Sequence, residues 1–246
     1  MTISKKIIVG LMLILFVAIT FNGFWLKEQY QDIDKSDLYW EFDERESLGT
    51  YTHINIEGGN KIYVSIVDGL DDILYYKNEP VTDFTFKVAN DTLKIKFATD
   101  LFTKRIAGKR WKSYRMVIGC KNLKSLILNN SYADLELESK DRLILKANGY
   151  SIVKIKSPNV KINSLKVELS GNSFALFSDE QNPLSTDLLA IKLIDSSFIN
   201  LNKTIARRFL PSLKDNARII YGSGIKTFEN GQIENYFEPK ISSFHK

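Results

Sequence analysis

The chain has 246 residues, 44% of them hydrophobic and 26% charged, and a net charge of +5 to which Lys5 and Lys6 contribute two. That balance suits one globular domain or two closely packed ones, and together with an export-type N-terminus it argues against nucleic acid as a partner. One cysteine (Cys120) and two histidines (His53 and His245) exclude an internal disulfide and a Cys/His zinc site, and no glycine loop of the phosphate-cradling kind is present, so no cofactor is expected.

Lys5 and Lys6 precede an uncharged stretch at 7–26, long enough at ~1.5 Å per residue to span a ~30 Å hydrocarbon core. Phe24, Trp25 and Tyr30 suit an aromatic anchor at the far interface, and the paired lysines favour a cytoplasmic N-terminus. The expectation is a single-pass signal-anchor with a cytoplasmic stub at 1–6 and the bulk of the chain outside the cytoplasm, in the periplasm or at the cell surface. A cleaved signal peptide is the alternative, with Ala18-Ile19-Thr20 as its best small-residue site. No cysteine follows the segment to carry a lipoprotein anchor.

Residues 27–50 are polar and acid-rich and read as a stalk with a solvated face. At 51–118 strand patterns begin. Ile54 and Ile56, then Ile62, Val64 and Ile66, alternate around Gly58-Gly59-Asn60, which predicts a hairpin. A second hairpin pairs Phe84, Phe86 and Val88 with Leu93, Ile95 and Phe97 around Asn90-Asp91. Cys120 follows the apolar Met116-Val117-Ile118 and reads as a buried structural thiol. Between the second hairpin and that strand, Lys104, Arg105, Lys109, Arg110, Lys112 and Arg115 cluster with Trp111 and Tyr114 and no acid. Such a set can hold an anionic glycan or lipid headgroup by charge-assisted hydrogen bonds and ring stacking, or can be a solvated hairpin.

Residues 119–224 contain a repeat. Leu143-x-Leu145-x-Ala147-x-Gly149-Tyr150-Ser151 recurs as Leu165-x-Val167-x-Leu169-x-Gly171-Asn172-Ser173 and as Leu189-x-Ile191-x-Leu193-x-Asp195-Ser196-Ser197, each followed by a second short apolar strand. A weaker copy, one residue shorter, spans Leu126 to Leu137. Two strands around a small polar corner, repeated at constant spacing, predict a parallel β-helix-like solenoid. A β-sandwich would alternate similarly but without the shared corner. Ile205 to Leu213 reads as a short helix or loop, Ala217 to Gly222 as a last strand, and 225–246 as a polar tail. The fold class expected is therefore all-β, a solenoid capped by N-terminal hairpins and preceded by one transmembrane helix.

This order of motifs resembles the GIN head domain, an adhesin-head family of bacterial envelope proteins. The resemblance rests on Tyr51-x-x-Ile54-x-Ile56 with Gly59, on Asp91-Thr92-Leu93-Lys94-Ile95, on the Ser170-Gly171-Asn172-Ser173 corner and on Ala217-x-Ile219-x-Tyr221-Gly222, and covers roughly 51–224. The chain departs from the family in having one full Ser-Gly-x-Ser corner, and in Gly222-Ser223-Gly224 where Gly-x-Pro is usual. The resemblance implies a β-helical domain outside the cytoplasm and brings no catalytic residues with it.

Carboxylates on outward strand positions are the one catalytic alternative: Asp134, Glu136, Glu138 and Glu168, with Lys154 and Lys156, could serve a β-helix enzyme acting on acidic polysaccharide. An accessory role in an envelope signalling complex is a further alternative, acting through another membrane protein. The reading favoured by the sequence is a non-catalytic, adhesin-like domain that binds envelope polysaccharide or an envelope protein.

Overall fold

The structure, a computed structural model of the chain, describes residues 3–31, 37–59, 62–77, 84–98, 116–157, 159–177, 183–202 and 204–220. The chain divides into two units, Met1–Asp43 and Glu44–Lys246. The first holds helix α1 (Ile3–Gln31), whose apolar side chains, Leu13, Phe16 and Phe21 among them, are exposed. Its segment Ile7–Glu28 is long and apolar enough to cross a membrane or to act as an export signal. The helix continues past residue 26 because Lys27, Glu28 and Gln31 are all competent helix formers.

The second unit is all β. Its strands in chain order are β1 (Glu44–Ser47), β2 (His53–Glu57), β3 (Val64–Asp68), β4 (Ile73–Tyr76), β5 (Phe84–Ala89), β6 (Thr92–Phe97), β7 (Met116–Cys120), β8 (Ser125–Asn129) and β9 (Tyr132–Glu136). They continue as β10 (Lys140–Asn148), β11 (Ile152–Ile155), β12 (Lys161–Leu169), β13 (Phe174–Phe177), β14 (Ser185–Leu193), β15 (Phe198–Asn200), β16 (Ile205–Leu213) and β17 (Arg218–Ile220). These strands form two sheets: a nine-stranded sheet ordered β1-β4-β7-β3-β9-β11-β13-β15-β17 and an eight-stranded sheet ordered β16-β14-β12-β10-β8-β2-β6-β5.

From β8 onward, successive strands alternate between the two sheets, and each pairs in parallel with the strand one repeat later. The antiparallel pairs lie at the N-terminal ends, β1 with β4, β4 with β7 and β5 with β6. Parallel register turns the repeat into columns. Leu126, Leu145, Val167 and Ile191 stack on one inner face, and Ala133, Val153, Ala175 and Ile199 on the other, all of them buried. Each fully buried aliphatic side chain contributes on the order of 1.5–3 kcal/mol, so the shared core stabilises layers that could not fold singly.

The corners carry the register. Asn130 (φ 52°), Gly149 (φ 69°), Gly171 (φ 70°), Asp195 (φ 62°) and Asp215 (φ 58°) all adopt left-handed backbone, and all are residue types that tolerate it. A Cβ on Gly171 would lie 3.0 Å from both the N and the O of Gly149, so glycine there also answers to the layer beneath. Within two residues of the first four comes an inward serine, Ser131, Ser151, Ser173 and Ser197, each no more than 1% exposed, whereas Asp215 is followed by Asn216 and Ala217. These hydroxyls join the layers. Ser131 Oγ lies within donating distance of the carbonyls of Ile56 (3.1 Å) and Gly58 (2.8 Å), and Ser173 Oγ of those of Gly149 (3.2 Å) and Ser170 (2.7 Å), each with one proton to give. The Ser131 N–H donates to Ser151 Oγ at 3.2 Å.

A buried ion pair ties the first layers together. Asp68 accepts from Lys140 Nζ (2.5 Å) and from the N–H groups of Leu123 and Glu138 (2.9 Å each), and Lys140 Nζ also donates to the Leu123 carbonyl at 2.8 Å. In the next layers the Lys140 column is taken by Ile162, Thr186 and Ala206, so this lysine occupies an inward position because Asp68 is there to receive it.

Two sequence expectations are corrected. Gly58 and Gly59 do not close a hairpin: β2 pairs with β6 and β8, whereas β3 pairs with β7 and β9 in the other sheet. Two consecutive left-handed glycines (φ 80° and 71°), with Phe97 packed against the second, carry the chain between sheets instead. Nor is 205–213 a helix or loop that interrupts the stack; it is β16, paired in parallel with β14. Its inward residues Ala206 and Phe209 are three apart, which mimics helical spacing, but Ile162/Leu165 and Thr186/Leu189 take the same step in strands that bend. Pro211 is accommodated because β16 is an edge strand with one side unpaired. The second hairpin forms as expected, with Asn90 and Asp91 both left-handed (φ 52° and 60°). Within the range read as a stalk, β1 joins the nine-stranded sheet.

Two measurements check this account. Ser151→Ala removes the acceptor of a buried N–H and is expected to cost about 1–3 kcal/mol, and Gly171→Val, which adds left-handed strain to backbone overlap, is expected to cost more, both seen as a lower thermal midpoint. Burial pushes the Cys120 thiol up to about 12, and its Sγ faces the Tyr51 carbonyl at 3.6 Å. Reaction with a thiol reagent at pH 8 is therefore expected only as the chain unfolds, with a rate that tracks unfolding in denaturant.

Candidate functional site

Outward positions of the nine-stranded sheet assemble a row that no single repeat contains. Tyr132 on β9, Ile152 on β11, Phe174 on β13, Phe198 on β15 and Arg218 on β17 are register partners in succession. Tyr63, one residue before β3, extends the row, because Val64 is in register with Ala133. Adjacent layers lie ~4.8 Å apart, so the side chains meet face to face or edge to face. Tyr63 and Tyr132 pack at 4.7 Å between centroids with 62° between planes, and Phe174 stacks on Phe198 at 5.0 Å and 5°. Tyr63 is 36% exposed, while Phe174 and Phe198 are half-buried, as expected of rings lying flat on a sheet.

A second row beside it is mixed in character: Asp134, Lys154, Leu176, Asn200 and Ile220. Lys154 Nζ sits 5.3 Å from the Tyr132 ring centre, a cation–π distance, and the Tyr132 hydroxyl donates to Asp134 Oδ1 at 3.0 Å. Lys156 forms an ion pair with Asp134. At the C-terminal end the row opens into a cavity of about 580 Å³ lined by Ser196, Ser197, Phe198, Asn216 and Arg218. Flat rings flanked by carboxylate, ammonium, amide and guanidinium groups can stack on the apolar C–H face of a sugar ring while hydrogen-bonding its hydroxyls.

The residues singled out from sequence fall in different places. Lys104, Arg105, Lys109, Arg110, Trp111, Lys112, Tyr114 and Arg115 lie outside the described residues; they fall in the chain between β6 and β7. The carboxylates do not converge. Asp134 and Glu136 belong to the nine-stranded sheet, whereas Glu168 belongs to the eight-stranded sheet, where Lys146 (2.8 Å) and Lys166 (2.7 Å) clamp it. Those two lysine hydrogen bonds hold the Glu168 carboxyl below the usual carboxylate range. Among the described residues no cluster of three His, Cys, Asp or Glu side chains is placed to hold a metal. His53 lies on a polar strand face with Nδ1 2.6 Å from Ser125 Oγ. The aromatic row is not evident in the sequence because a repeat supplies at most one ring, and one supplies Ile152; the signal was the residue after each corner serine, Tyr132, Ile152, Phe174 and Phe198.

No protein-family model and no curated protein matches the sequence. Among solved structures, the chain resembles one from Parabacteroides merdae described as a candidate adhesin, with TM-score 0.55 and 17% identity over 72% of this chain and 70% of that one. A candidate adhesin from Parabacteroides distasonis matches at TM-score 0.41 and 15% identity, over 75% of this chain and 94% of that one. A candidate lipid-binding protein from Parabacteroides distasonis matches at 0.41 and 14%, over 73% and 94%. The likeness to the Parabacteroides merdae structure is one of fold.

Proposed function

We propose that this chain is a non-catalytic, membrane-anchored envelope domain, built as a β-solenoid of the GIN type, that holds a glycan strand along its aromatic row. The observation that carries the reading is the in-register line Tyr63, Tyr132, Ile152, Phe174 and Phe198 on the outward side of the nine-stranded sheet, in which Tyr63 is exposed, Phe174 and Phe198 are half-buried and Tyr132 is buried beneath its neighbours. The solenoid reading draws on the parallel pairing and the repeated left-handed corners. The adhesin-like reading draws on the fold shared with the Parabacteroides merdae structure. The anchor reading draws on the exposed apolar helix, and the paired lysines ahead of it support a topology with the rest of the chain outside the cytoplasm.

Anchoring is tested by extracting membranes at alkaline pH: the full chain, intact at its N-terminus by mass, is expected to stay with the membrane, and a soluble product truncated near Thr20 would support cleavage instead. The binding site is tested by pelleting the full chain, in non-ionic detergent, with insoluble lipid-extracted envelope glycan. Phe174→Ala/Phe198→Ala removes two stacking surfaces and is expected to weaken binding roughly tenfold, at ~0.5–1.5 kcal/mol per ring. The segment 104–115 is proposed to add an anion-binding patch; Lys109→Glu/Arg110→Glu/Lys112→Glu is expected to reduce the same binding, most strongly at low salt. Unchanged binding in the double alanine variant would sink the aromatic-row reading.

A further inference from the structure

The outward face of the eight-stranded sheet differs in kind from the aromatic face. Register places Lys87 of β5, Lys94 of β6, Asn55 of β2, Ile127 of β8, Lys146 of β10, Glu168 of β12 and Lys192 of β14 in one column, with Lys166 of β12 in the next. From Lys87 to Lys192 the column crosses six inter-strand steps, ~29 Å at ~4.8 Å each. Arg142 and Arg208 lie four residues from that column along the strands, in register with each other through Ser164 and Leu188. Four acids share the strands of this face: Glu168 within the column, Glu57 on β2, Asp141 on β10 and Asp187 on β14, the last paired with Lys161 at 3.5 Å. Glu168 is already clamped by Lys146 and Lys166, and Glu57 lies 3.6 Å from Lys96. Lys87, Lys94 and Lys192 have no acidic partner within 4.0 Å among the described residues and are exposed.

A solvated sheet face needs charge, but not charge of one sign. Cations in file repel one another and gain most when a line of anions lies over them. Edge protection accounts for lysines at β5 and for arginines at β16, since these are edge strands, but not for Lys146, Lys166 and Lys192 in the interior of the sheet. Next to the lysine column runs a hydrogen-bonding strip in which Asn148 Nδ2 donates to Asn129 Oδ1 (2.9 Å) and Ser170 Oγ donates to Asn148 Oδ1 (2.7 Å). Among the described residues no Phe, Tyr or Trp projects from this face, whereas surfaces that seat in a bilayer interface carry such rings. Linear geometry, three lysines without an acidic partner among the described residues (Lys87, Lys94 and Lys192) and a polar strip together favour a linear polymer over a lipid surface.

We propose that this face is a second binding site, separate from the aromatic row, for a linear acidic polysaccharide lying across the strands along the stack. The probe is immobilised polygalacturonate, with neutral dextran as control and the full chain in non-ionic detergent. Wild-type protein is expected to bind the acidic polymer with an affinity that falls as salt rises, because binding releases condensed counterions. Lys87→Glu/Lys94→Glu/Lys192→Glu is expected to weaken binding at least tenfold and flatten the salt dependence. The matching triple Gln variant, with an unchanged thermal midpoint, is expected to weaken it less, which separates charge from misfolding. Phe174→Ala/Phe198→Ala is expected to bind as wild type, so failure here and failure of the aromatic-row reading are distinct. Four results would overturn the proposal: equal binding to dextran, no loss in the Glu variant, loss confined to Lys109→Glu/Arg110→Glu/Lys112→Glu, or equally effective displacement by micelles doped with phosphatidylglycerol at matched charge.

Discussion

Each layer turns through a left-handed residue, followed closely in all but the last by an inward serine, and the rest of the stacked unit depends on that corner. The left-handed backbone at Asn130, Gly149, Gly171, Asp195 and Asp215 directs the chain from one sheet to the other. The hydroxyls of Ser131, Ser151, Ser173 and Ser197 then satisfy backbone groups that a tight buried turn would otherwise leave unpaired. Backbone bonds run between corners as well, Asn172 N–H to Gly149 O at 2.8 Å and Ser196 N–H to Gly171 O at 3.1 Å. A shift of one residue at any layer would forfeit these bonds and turn the inward leucines outward, so corner and core enforce the same register.

Strict register has a consequence for the outside of the molecule. Whatever residue type stands at a given outward position becomes a column, because the layers above and below present their own residue there. On the nine-stranded sheet one such column brings Tyr132, Phe174 and Phe198 into line with Ile152, and on the eight-stranded sheet another brings Lys94, Lys146 and Lys192 into line with Asn55, Ile127 and Glu168. The inside is thus uniform while the two outer faces diverge chemically, which lets one scaffold offer an aromatic surface and a cationic one without altering its core.

The first layers are built differently from the later ones. Asp68 and Lys140 form a buried ion pair with three further hydrogen bonds to backbone, where the subsequent layers have aliphatic or small side chains. Removing either partner of such a pair leaves a buried charge, at a cost of about 3–5 kcal/mol, so the pair fixes how β3, β8 and β10 meet. The antiparallel strands β1 and β4 in one sheet and β5 in the other cover the N-terminal ends of both sheets, while β16 and β17 end them at the other side with Arg207, Arg208 and Pro211 on β16.

The sequence by itself determined what contiguous residues encode: the apolar helix, the strand alternation, the corner spacing, the buried Cys120 and the Asn90-Asp91 hairpin. Each is a local pattern, readable within about a dozen residues because backbone preference and side-chain periodicity act at that range. Only the tertiary structure decided that β2 and β3 part into different sheets, since Gly58-Gly59 permits both a hairpin and a corner and the partners that choose between them, β6 to β9, lie far along the chain. It also decided that 205–213 is a strand, because the three-residue step from Ala206 to Phe209 matches a helix until the bends of β12 and β14 are laid beside it. Both outer columns belong to this second class. Tyr132, Phe174 and Phe198, like Lys94, Lys146 and Lys192, are brought into line only when hydrogen bonds between separate layers fix the register.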